Sequence, residues 1–94
     1  MQSRTHRWAG TLHTHEIDSQ ALTGNPLGDP HLRPIYVYTP PAAGADPERR
    51  FPTLYLIQGL TGMVEAWRNT KPFQPNVPEL IDALFADPAT PPAI

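Results

Sequence analysis

Gly59, Leu60, Thr61 and Gly62 directly follow the uncharged run Phe51-Pro-Thr-Leu-Tyr-Leu-Ile-Gln58. Two glycines bracketing a pair of residues at the end of an apolar strand leave backbone N–H groups at the mouth of a sheet. Amides fixed there can hold an anion, or the oxyanion of a tetrahedral acyl intermediate, because they are aimed before the charge develops. An ordinary strand-to-loop turn uses the same glycine spacing, so the motif by itself does not decide between the two. Acyl chemistry of this design also needs a nucleophile on a tight Gly-x-Ser-x-Gly turn. Ser3 and Ser19 are the only serines, and neither is flanked by glycines. Residues 1–94 therefore read as the opening part of an enzyme, without its nucleophile.

Other chemistry-bearing residues are sparse. His13 and His15 are two apart, so on a strand they share a face. With Glu16 or His31 they could approach a metal, but no third ligand stands at a recognised spacing, and solvent-facing strand residues are the reading adopted. Trp67 is expected to pin the loop after Gly62, with a cleft-facing position as the alternative. Asp29 and Arg33 are candidates for a pair that steadies their loop. The absence of cysteine excludes disulfides and thiolate metal sites. No cofactor and no metal is implied.

Bulk properties narrow the partners. The net charge is −2, and the closest basic group, Glu48-Arg49-Arg50, is too short to track a phosphate backbone. No nucleic-acid partner is expected. No apolar run approaches the ~20 residues of a membrane helix, and the polar start Met1-Gln-Ser-Arg-Thr-His-Arg-Trp8 lacks the apolar stretch of a secretory signal. No membrane partner is expected, and a cytoplasmic location is the default.

The elements that must position Gly59 and Leu60 follow from pattern. Thirteen prolines in 94 residues exceed the usual ~5%, which predicts short elements and long connections. Residues 8–22 predict one or two solvent-facing edge strands, and residues 24–30, with two glycines and two prolines, a loop. Residues 33–39 alternate as a strand, with Ile35, Val37 and Thr39 on one face and Tyr36 and Tyr38 on the other. Residues 40–47 predict a flexible, proline-rich connection. Residues 53–58 do not alternate, which predicts a strand covered on both faces inside a parallel sheet. Val77, Leu80, Ile81, Leu84 and Phe85 form a helical stripe expected to pack in the core. Asn76 and Glu79 make a capping box at its start, and Asp87-Pro88 ends it. The tail to Ile94 reads as the approach to another strand. The fold class is α/β, with edge β-strands, a buried strand, a glycine turn and a first helix in an incomplete sheet.

Three segments carry a resemblance. They are Ser19-Gln-Ala-Leu-Thr-Gly-Asn-Pro-Leu-Gly-Asp-Pro-His-Leu-Arg33, Val37-Tyr-Thr-Pro-Pro41, and residues 51–62 together with Trp67. In these the chain resembles the N-terminal third of the esterase branch of α/β-hydrolases that includes enterochelin-esterase-like proteins and esterase D. The likeness runs from about residue 14 to Ile94. It implies that residues 1–94 are the N-terminal fragment of a single α/β-hydrolase catalytic domain. It also implies a serine esterase acting on a small-molecule ester through an acyl-enzyme. The Leu60 backbone N–H would be one oxyanion donor, with Gly59 permitting close approach and Thr61 and Gly62 shaping the turn. Many relatives carry His where Gln58 stands, a departure that leaves a backbone donor intact. The triad and the second donor are expected beyond Ile94, as is a strand inserted between residues 33–39 and 53–58. Two other functions fit the sequence. One is an acyltransferase of the same fold. The other is a non-catalytic carbohydrate- or peptide-binding module presenting Trp67, Tyr36 and Tyr38 on one exposed face.

Overall fold

The computed structural model describes residues 6–60 and 62–94. The expected role of Thr61 and the reading of residues 1–5 lie outside that set. Strand β1 (Thr11–Asp18) pairs antiparallel with β2 (Leu32–Thr39), from Thr11 opposite Thr39 to Asp18 opposite Leu32. The period-two pattern of residues 33–39 is realised, because a hairpin can cover one face and leave the other wet. His13 lies opposite Val37 on the outer face, and Leu12 lies opposite Tyr38 on the inner one.

The hairpin connection is built around Asn25. Its Nδ2 donates to the carbonyls of Leu22 and Asp29, both at 2.8 Å, and its Oδ1 accepts from the amides of Leu27 and Asp29. Gly24 and Gly28 both take φ of +70°, a region that only glycine enters cheaply. The expected Asp29–Arg33 pair does not form among the described residues. Asn25 already satisfies the Asp29 backbone, and His31 Nδ1 instead meets Asp18 Oδ1 at 2.8 Å across the strand ends.

Two expected connections differ in the structure. Residues 40–47 contain a short helix, α1 (Pro41–Ala45), rather than a flexible linker. Proline at the first helical position has its φ preset and lacks an N–H that would go unused there, and the alanines favour helix. Within the loop that leads from Gly62 toward residue 75, Val64–Arg68 form a 3₁₀ helix.

The largest difference concerns residues 53–58, expected as a strand covered on both faces. They form no ladder. Their segment has one paired point: the Leu54 N–H donates to the Ile94 carbonyl at 2.7 Å, and the Ile94 N–H donates to the Pro52 carbonyl at 3.0 Å. Those two bonds straddle Thr53 as a parallel bridge does. Leu54, Tyr55 and Ile57 are 67, 77 and 86% exposed. A parallel strand is defined by its neighbours, and among the described residues only Ile94 supplies one.

Helix α2 (Val77–Ala86) begins at the expected capping box. The Glu79 N–H donates to Asn76 Oδ1, and the Asn76 N–H to Glu79 Oε1, both at 3.0 Å. Asn76→Ala is expected to lower stability by about 1 kcal/mol, read as a shift in the urea midpoint with unchanged slope. The orientation of α2 is a correction. Its buried residues are Pro78, Glu79 and Asp82, while Leu80 and Leu84 of the apolar stripe stay half exposed. At 100° per residue, the buried face sits about a third of a turn from the stripe. Val77, Ile81, Leu84 and Phe85 border an open cleft of about 420 Å³, whose other walls include Val37 and Leu56. The molecule is mixed α/β, with a two-stranded antiparallel sheet and two α-helices among the described residues. None of those helices is long and apolar enough to cross a membrane.

Candidate functional site

The turn at Gly59 is closed by the Gly62 N–H donating to the Gly59 carbonyl at 2.9 Å. The closure makes residues 59–62 a β-turn with Leu60 in its second position. The Leu60 side chain is fully exposed, and its N–H takes no partner among the described residues. The two glycines play different parts. A Cβ on Gly62 would come within 2.5 Å of the Gln58 Cβ and 2.6 Å of Gln58 Oε1, so any side chain there would force the turn open. A Cβ on Gly59 would meet nothing within 4 Å, and the space beside the Leu60 amide is open.

Trp67 lines the cleft that runs between β2, residues 53–57 and α2. Its indole Nε1 is buried and without a hydrogen-bond partner among the described residues, while Arg68 lies 4.7 Å over the ring of Tyr36. A buried N–H without an acceptor costs about 1–3 kcal/mol.

The densest polar constellation was not singled out in the sequence. Asp82, 1% exposed, collects four donors through its two carboxylate oxygens. Gly10 N–H and the Tyr38 hydroxyl reach Oδ1 at 2.7 Å, while His6 Nε2 and Ala9 N–H reach Oδ2 at 2.8 and 3.0 Å. Because the partner is a carboxylate, His6 Nε2 carries the proton. The His6 Nδ1 faces Glu79 Oε2 at 3.9 Å. Burial pushes the Asp82 carboxyl up, but the bonds from Gly10, Tyr38, Ala9 and His6 outweigh it and hold the group at about 2. Burial, and then the bond to Asp82, push the Tyr38 phenol above its ordinary value. Gly10 is demanded by this packing, since a Cβ there would lie 2.4 Å from the Thr39 carbonyl oxygen and 2.5 Å from the Tyr38 hydroxyl.

His6 Nε2 is committed to Asp82, and the ring is held between two carboxylates. The arrangement is a clamp that ties residues 6–10 to β2 and α2. The signal for it was an aspartate in the middle of an amphipathic helix together with a tyrosine in a strand. The spacing of more than seventy residues to His6 and Gly10 hid the connection.

His13 and His15 do share the outer face of β1, their rings stacked at 6.0 Å. Glu16 alternates to the opposite face, and His31 is paired with Asp18, so neither joins them. Among the described residues no group of three or more His, Cys, Asp or Glu is placed to hold a metal ion. Ser19 lies ahead of the 3₁₀ turn Gln20–Leu22, its N–H donating to the His31 carbonyl.

No family model, curated protein or solved structure matches this chain.

Proposed function

We propose that residues 1–94 are the N-terminal portion of an α/β-hydrolase-fold serine esterase, in which the Leu60 N–H is one of two oxyanion donors. The single observation that carries the reading is that amide. It has no partner among the described residues, it stands second in a closed turn, and open space lies beside Gly59. The parallel hydrogen bonds between Ile94 and residues 52–54 support it further, since they are the first step of a strand entering the cleft beside β2.

In this mechanism a serine outside residues 1–94 attacks the ester carbonyl. The carbonyl oxygen becomes an oxyanion facing the Leu60 amide, and a histidine returns the proton to the leaving alcohol. Water then releases the acid. An alcohol in place of water gives acyl transfer on the same site. The binding-module alternative has less support, because Tyr38 is buried with its hydroxyl on Asp82 and cannot present a contact surface.

The test is active-site labelling of the protein translated from the whole coding sequence that contains this chain. A fluorophosphonate is expected to label one serine, in a Gly-x-Ser-x-Gly run outside residues 1–94. An unlabelled protein, or ester turnover by the 94-residue chain alone, would overturn the reading. Partition of the acyl group between water and an added alcohol separates esterase from transferase.

A further inference from the structure

His13 and His15, on the outer face of β1, take no part in the Asp82 clamp or in the turn at Gly59. Their strand is paired with β2 from end to end, so the backbone that spaces the two rings is fixed before any ligand arrives. The ring centroids lie 6.0 Å apart, with the planes 19° from parallel. Two imidazoles sharing one ion through Zn–N bonds of ~2.0–2.1 Å have centroids at most roughly 6.4 Å apart. The observed spacing falls within that reach, and a turn of the exposed His15 ring about its side-chain bonds would bring both rings onto one ion. One tautomer is already decided. The Thr39 hydroxyl donates to the Thr11 carbonyl at 3.5 Å, so toward His13 it is the acceptor, and His13 Nε2 donates to it at 3.1 Å. In the neutral ring the lone pair is then on Nδ1. A fixed acceptor behind one ring nitrogen is the usual support of a metal-binding histidine, because it sets both tautomer and ring direction. The His15 ring takes no hydrogen bond, and neither ring meets a carboxylate, among the described residues.

We propose that His13 and His15 form a two-histidine chelate for a borderline transition-metal ion of the Zn²⁺ class. His13 Nδ1 is one ligand, a ring nitrogen of His15 is the other, and Thr39 is the acceptor that holds His13 in place. Imidazole suits Zn²⁺, Ni²⁺ and Cu²⁺, whereas Mg²⁺ takes oxygen ligands and is not expected to compete. Among the described residues no third His, Cys, Asp or Glu joins the pair, so water completes the coordination. The ion is therefore exchangeable and held at the surface, unlike the closed four-ligand sites that stabilise a fold. The site uses neither the Leu60 amide nor a serine, so it stands apart from the esterase reading.

Calorimetric titration of Zn²⁺ into the 94-residue chain, with Mg²⁺ in excess, tests the site. One ion per chain is expected to bind. His13→Gln and His15→Gln each leave a single ligand and are expected to weaken binding about 10²-fold, the gain that a second, tethered ligand supplies. The His15 ring is exposed and makes no hydrogen bond, so its variant keeps the fold, and circular dichroism verifies this. Thr39→Val removes only the acceptor behind His13 and is expected to weaken binding about tenfold, with Thr39→Ser restoring it. The His31 ring is held by Asp18, and His31→Gln is expected to leave binding unchanged. No heat beyond dilution, binding that survives His15→Gln in a folded protein, a Thr39→Val protein as tight as the parent, or equal loss with His31→Gln would each overturn the proposal.

Discussion

Asp82→Ala is expected to cost about 3–5 kcal/mol, the range found when one partner of a buried charged network is removed. A domain's whole stability is about 5–15 kcal/mol, so such a loss unfolds much of the population. The magnitude follows from what remains behind. The Gly10 and Ala9 amides, the Tyr38 hydroxyl and His6 Nε2 all lose their acceptor at once. Two of those donors belong to backbone that has no other element to pair with. Asp82→Asn retains one carbonyl oxygen and is expected to lose less. Urea unfolding followed by circular dichroism and by Trp8 and Trp67 fluorescence measures both variants; an Asp82→Ala protein as stable as the parent would show that the clamp contributes nothing.

The same carboxylate sets an acid limit. Its folded value, about 2, lies below the ordinary aspartate value of 3.8, so it binds its proton more weakly in the folded state. Its contribution is complete above roughly pH 4 and is lost as the pH falls toward 2, amounting to something on the order of 2 kcal/mol. Melting temperatures recorded from pH 5 down to 2 are expected to drop in the parent and to lose most of that slope in Asp82→Asn. Tyr38 acts at the other end. Its raised value favours the neutral phenol, so its contribution is intact below pH 10 and fades only as the pH climbs through the folded value.

Local features were legible in the sequence where local physics decides them. The Asn76–Glu79 capping box needs only its own four residues, and the alternation in residues 33–39 needs only one covered face. The Gly59–Gly62 turn was legible from its spacing, because Gly62 must yield room to a side chain four residues earlier. Features decided at long range were not. The stripe on α2 placed Leu80 and Leu84 inside, yet hydrophobic periodicity says nothing about a carboxylate that can gather four donors from segments more than forty residues away. Once Asp82 turns inward, the stripe swings toward the cleft. Residues 53–58 have the composition of a buried strand, but strand and burial are properties of neighbours, and only Ile94 is placed as one. Residues 40–47 depart from a flexible connection because Pro41 stands at a helix start, where its preset φ makes it an initiator rather than a breaker.

The oxyanion proposal stands or falls on Leu60→Pro. Proline lacks the N–H, so the substitution deletes the proposed donor and little else. The second position of a β-turn is where proline fits best, and Leu60 has no positive φ that the ring would oppose. The Leu60 side chain is fully exposed, so no packing is lost with it. If the proposed esterase reading holds, kcat of the whole protein is expected to fall about 10²–10³-fold with KM little changed, because the bond strengthens only as the carbonyl oxygen gains charge. Leu60→Ala keeps the amide and is expected to retain nearly full activity. The contrast isolates the backbone from the side chain. Fluorophosphonate labelling and the melting temperature of the proline variant, measured alongside, establish that the serine and the fold are intact. Unchanged kcat in a folded, labelled Leu60→Pro protein would place the oxyanion elsewhere.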